Sequence, residues 1–92
     1  MTKEEFLKIV TPIAILVEKK SEDYDSGIAL EEYFPMGDRS YFQMVWTKAL
    51  RLKSIVLNER ELNFEGLLDT VDDMIAYLVF FRKHLAKQQK KR

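Results

Sequence analysis

The sequence predicts an all-α fold: a small helical bundle of three main helices, with a possible short helix between the first two, completed by oligomerisation. Three observations carry that prediction. Apolar residues recur at i, i+3 and i+4 in three long segments. No segment alternates apolar and polar residues with the period of two that marks a strand. Ser or Thr followed three residues later by Glu or Gln, the pattern that opens a helix, stands before two of the three segments. The chain has 92 residues, enough for one domain and too few for a second. Residues 1–86 read as that domain and residues 87–92 as a basic tail. A hydrophobic content of 47% supplies a core, but small chains bury a small share of their surface, and self-association is a common remedy.

The first helix opens at Thr2-Lys3-Glu4-Glu5, where the Thr2 hydroxyl and the Glu5 carboxylate are spaced to satisfy backbone donors reciprocally. Phe6, Val10, Ile13, Leu16 and Val17 carry its helical period to about Tyr24. Pro12 lies inside the pattern and removes one hydrogen bond, so it should kink the helix or mark its real start.

Residues 25–39 are irregular, punctuated by Gly27, Pro35 and Gly37. Residues 28–34 have the composition for one or two helical turns. A connection this long in a small domain suggests a binding loop or lid. Tyr33 and Phe34 within it are expected to close the core, with stacking on a planar ligand as the alternative.

Ser40-Tyr41-Phe42-Gln43 repeats the capping pattern and opens a second helix that should run to about Leu57. Tyr41, Val45, Ala49, Leu52, Ile55 and Val56 share one face, and Lys48 falls within that apolar arc with Arg51 beside it. A lysine on a core face must reach the rim or meet a carboxylate. Alternatively, Lys48 and Arg51 present positive charge to an anion such as phosphate. Trp46, Leu50 and Leu57 form a second apolar stripe opposite the first, and together with Phe80 and Phe81 they suggest a subunit interface.

The third helix should be capped by Asn63 and run to Ala86. Phe64, Leu67, Leu68, Val71, Met74, Ile75, Leu78 and Leu85 share a broad stripe that the periodicity assigns to the core. Gly66, Asp69, Thr70, Asp73, Tyr77 and His84 fall on the other side. That side lacks the Lys, Glu and Gln of an ordinary solvent face, so it reads either as an acidic patch near a helix start or as a polar site that faces something. Asp69 and Asp73, one turn apart, have the spacing to co-ligate a hard cation such as Mg²⁺, with further oxygens from acidic residues of the first helix, water or phosphate.

Composition excludes several chemistries. There is no cysteine, hence no disulfide framework, thiolate zinc site or cysteine nucleophile, which fits a reducing cytoplasm. No run of about 18 apolar residues marks a membrane span, and the acidic start Met1-Thr2-Lys3-Glu4-Glu5 does not read as a signal peptide. A single histidine, His84, rules out a histidine-rich metal site or a His-based triad within one chain, and no Gly-rich phosphate loop is present. The balance of 15 basic and 15 acidic residues conceals an asymmetry: the last ten residues hold five basic and no acidic side chains, so the body is acidic. No aromatic is interleaved with those lysines, so the tail reads as a solvated helix end rather than a nucleic-acid contact.

Four pieces then stand in order: Lys20-x-x-Asp23-Tyr24, Met36-Gly37, Lys48-x-x-Arg51-Leu52 and Asp69-Thr70-x-x-Asp73-x-x-x-Tyr77. With them the chain resembles the nucleotide modification-associated domain family, small helical proteins common in bacteriophages and similar to the all-α nucleotide pyrophosphatases of the MazG and dUTPase type. The resemblance covers about residues 10–82. It implies a host-cytoplasmic nucleotide-binding protein, serving nucleotide metabolism or sequestering a nucleotide signal. Lys20, Asp23, Tyr24, Lys48, Arg51, Thr70 and Tyr77 would contact the nucleotide, and Asp69 and Asp73 any Mg²⁺. Those enzymes hold paired glutamates where this chain has Lys19 and Lys20 between Glu18 and Glu22, which places binding ahead of hydrolysis. Mg²⁺-dependent pyrophosphate release and a ligand-free helical interaction module are the two alternatives.

Overall fold

The computed structural model describes residues 1–23, 27–58 and 64–91. Tyr24 and the expected cap Asn63 lie outside the described residues, as do the side chains of Glu22, Asp23, Lys90 and Lys91. The described residues form three α-helices, α1 (Lys3–Asp23), α2 (Asp38–Leu57) and α3 (Phe64–Lys91), with a 3-10 turn at Leu30–Tyr33 between the first two. No strand occurs among them, and the predicted all-α class with three main helices holds.

The ends of α1 and α2 show how the local chemistry operates. Thr2 Oγ1 accepts the Glu5 backbone N–H at 3.1 Å, the first half of the predicted capping box. The helix continues through Pro12 to Asp23, so the proline is not its start. The second capping prediction is displaced. α2 begins at Asp38, with Gly37 as its N-cap at φ +60°. Ser40 is already inside the first turn, where its hydroxyl accepts the Met36 N–H at 2.8 Å. The left-handed φ of Gly37 makes a sharper entry than a Ser40 cap would, and this brings the 3-10 turn back over the helix.

α2 and α3 run antiparallel and share the main interface, whereas α1 meets α3 over a small area. The core is a ring cluster. Tyr41, only 2% exposed, stacks on Phe34 at 4.1 Å between centroids and on Phe81 at 5.5 Å, and Phe34 meets Tyr77 edge-on at 6.2 Å. Phe34 thus closes the core, as expected, while Tyr33 is exposed.

The face of α3 that enters this core is the one the periodicity set outside. Thr70 is 2% exposed, Tyr77 and Phe81 join the ring cluster, and His84 packs against Tyr41 at 5.0 Å. Of the stripe that should have formed the core, Phe64, Leu68, Val71, Leu78 and Leu85 are exposed, while Leu67, Met74 and Ile75 are half-buried. Phe80 and Phe81 are half-buried within the chain, whereas Trp46, Leu50 and Leu57 are exposed. α3 also extends past Ala86 to Lys91, so most of the basic tail is helix. None of the described helices is long and apolar enough to cross a membrane.

Candidate functional site

A cavity of about 720 Å³ opens where α1, the 3-10 turn and α3 meet. α1 contributes Ile13, Leu16, Val17, Lys20 and Ser21, which helical spacing of three and four places along one side of it. The turn segment adds Ile28, Leu30, Tyr33 and Phe34, and α2 adds Met44. From α3 come Asp72, Asp73, Ala76, Tyr77 and Phe80. Ala76, one turn from Asp72 and Phe80, leaves the space between the helices open. The walls are therefore aromatic and aliphatic, with Lys20, Ser21 and two carboxylates as the polar groups. Its size and apolar lining with few polar groups fit the general form of a small-ligand site.

Behind the cavity, on the α2 side, the Lys48 ammonium stands 3.2 Å from Asp73 Oδ2 and 5.9 Å from the centre of the Tyr77 ring. The apolar position of Lys48 is thus resolved by a carboxylate on the long helix. Lys20, by contrast, is exposed and has no ion-pair partner among the described residues.

The structure brings together part of the expected site. Lys20, Asp73 and Tyr77 line one cavity, and Lys48 holds Asp73 in place. Arg51 and Asp69 are exposed and do not border it. Thr70 is buried, its hydroxyl donating to the Gly66 carbonyl oxygen one turn back at 2.7 Å, and it too is away from the cavity. Tyr24 and the Asp23 side chain lie outside the described residues. Two aspartates of the cavity wall, Asp72 and Asp73, are adjacent in sequence rather than one turn apart, and they are the acidic groups that border the cavity. Among the described residues no three carboxylate or imidazole groups are gathered around one point.

Sequence reading missed the second polar cluster, at the other end of the ring stack. His84 Nε2 lies 2.9 Å from Asp38 Oδ1, and the ring lies beneath Gly37. Lys87 donates to Glu31 Oε1 at 2.8 Å. That lysine, through its hydrogen bond and charge, holds the Glu31 carboxyl below its ordinary range. Burial pushes the Tyr41 phenol up, and the Glu31 charge adds to it. The partners are 46 and 56 residues apart, so no local pattern marks them. The one available signal was the spacing of seven that puts Thr70, Tyr77 and His84 on one line of α3. No family model, curated protein or solved structure matches the chain.

Proposed function

We propose that the cavity between α1, the 3-10 turn and α3 binds a nucleotide or nucleotide-derived molecule. The observation that carries this reading is the pairing of aromatic walls with a cation, Lys20, that has no ion-pair partner among the described residues. Tyr33, Phe34, Tyr77 and Phe80 border a space large enough for a planar base and sugar. Lys20 stands at its polar edge, where a phosphate would find an ammonium that no carboxylate of the described residues holds. Ser21 beside it offers a hydroxyl. The resemblance to the phage nucleotide modification-associated family points the same way, toward nucleotide metabolism or capture of a nucleotide signal. Asp72 and Asp73 on the same wall favour a second reading, in which they share a Mg²⁺ with the phosphates and the bound nucleotide is hydrolysed to release pyrophosphate.

A nucleotide panel followed by thermal unfolding, with and without Mg²⁺, tests both. A ligand at a hundred times its Kd adds about 2.7 kcal/mol to the stability of the folded state. The expected result is stabilisation by at least one nucleotide, lost in Lys20→Ala while the unliganded melting temperature stays put, since Lys20 is exposed. Pyrophosphate release in Mg²⁺ would select the second reading. A panel in which no member raises the melting temperature would refute both.

A further inference from the structure

We infer that the outer face of α3 pairs with α3 of a second copy of this chain, antiparallel, as a short coiled-coil seam. The spacing comes first. Phe64, Leu68, Val71, Ile75, Leu78 and Leu85, with Arg82 between the last two, follow one another at intervals of four and three residues. That is a period of 3.5, held over three heptads, which keeps one line of side chains facing a partner helix rather than drifting round the cylinder. Over 22 residues the line is about 32 Å long.

Its position in the fold comes next. Thr70, Tyr77 and His84 turn α3 toward the core shared with α2, while Asp73, Ala76 and Phe80 turn it toward the cavity walled by α1. The seam lies on the remaining side, and five of its apolar residues are 37% to 61% exposed. The surface area says how much must be covered. The chain exposes 7970 Å², where a folded monomer of its mass exposes about 5,600 Å². The excess, about 2,400 Å², is what each protomer of a permanent homodimer contributes at the upper end of the usual range. The five exposed apolar residues of the seam contribute to it.

Charge selects the direction. In a parallel pair Arg82 would face Arg82 across the seam. In an antiparallel pair that sets Ile75 against Leu78 and Leu68 against Leu85, Arg82 of one copy stands opposite Val71 and beside Asp72 of the other. Arg82 and Asp72 have no ion-pair partners among the described residues of their own chain. The two-fold arrangement makes the contact twice. The exposed stripe of α2, Phe42, Trp46, Leu50 and Leu57, is the weaker candidate, because it spans 16 residues against the 22 of the α3 line.

The chain has no cysteine, which allows a direct test on the full protein. Leu68→Cys and Leu85→Cys are made in separate chains and oxidised alone and as a mixture. The mixture should give a crosslinked heterodimer, and each variant alone should give little. Crosslinking within each variant alone would overturn the antiparallel direction, and no crosslinking in any tube would overturn the seam. Sedimentation is the second measurement. The wild type should be a dimer at micromolar concentration, Leu78→Glu should raise its dissociation constant about a thousand-fold because the loss is counted in both halves, and Trp46→Glu should leave it unchanged. A monomeric wild type, or a dimer broken by Trp46→Glu and not by Leu78→Glu, would refute the proposal.

Discussion

Lys48 shows how exposure sets the value of an ion pair. Its ammonium is 3.2 Å from Asp73, but the two side chains are 19% and 40% exposed. A buried pair that loses one member costs about 3–5 kcal/mol, whereas exposed pairs contribute about 0–1 kcal/mol. Lys48→Ala should therefore cost about 1 kcal/mol in urea unfolding, and Lys48→Met, which keeps an apolar stem on the half-buried face, should cost less. A loss above 3 kcal/mol would mean that the site is drier than its exposure indicates. Tyr41 carries a different consequence. Its folded pKa is raised above the ordinary value of 10.0 by burial and by Glu31, so the folded state favours the neutral phenol. The sign follows from proton linkage: the contribution is full below pH 10 and declines as the pH rises above it, because the unfolded chain gives up that proton first. Melting temperature measured from pH 8 to 11 should fall more steeply for the wild type than for Tyr41→Phe, which keeps the ring stack and has no proton to lose. Parallel curves would remove Tyr41 from the alkaline response.

At the scale of elements, the turn into α2 depends on Gly37. Its φ of +60° is strained for a residue with a side chain, whereas the space is not: an added Cβ would meet His84 at an ordinary 3.5 Å. Gly37→Ala should cost about 1–3 kcal/mol, and His84→Ala in the same chain should not recover it, because the cost is in the backbone. Recovery would locate the cost in the contact instead. The helices themselves were legible, since period and capping are local: α2 ended at Leu57 as expected, and the Thr2 cap formed. What the period could not say was which side of α3 faces inward. It reports two stripes, one aliphatic and one mixed, and the rule that the more apolar stripe is core assumes a partner within the chain. Here the rings of Phe34, Tyr41 and Phe81 select the mixed stripe, Thr70 is buried with it, and five residues of the aliphatic stripe are left exposed. The candidate site was legible to a similar degree. The Lys48–carboxylate pair follows from a charge placed on an apolar arc, and Lys20, Asp73 and Tyr77 meet at one cavity. Thr70 was misleading because a buried hydroxyl and an exposed one look alike in sequence, and its bond to Gly66 is a matter of packing.

The whole molecule is looser than a monomer of its length should be. Its radius of gyration is 15.1 Å, against about 12.3 Å for a compact chain of the same size. α1 is the extreme case: Phe6, Leu7, Ile9, Ile15 and Leu16 are exposed, and Ile13 is its one buried anchor. A protomer with this much uncovered apolar surface should owe much of its stability to association, and mass action then makes the melting temperature depend on concentration. Two chains unfold together with an enthalpy of about 130 kcal/mol near 60 °C. Raising the protein concentration a hundred-fold adds RT ln 100, about 2.7 kcal/mol, to the folded dimer. Divided by the entropy of that transition, this is a rise of about 7 °C in melting temperature. Leu78→Glu should melt lower, and its melting temperature should no longer move with concentration, because the seam no longer links the two chains. Calorimetry across that range separates the cases: a wild-type melting temperature independent of concentration means that the exposed face of α3 contributes nothing to folding.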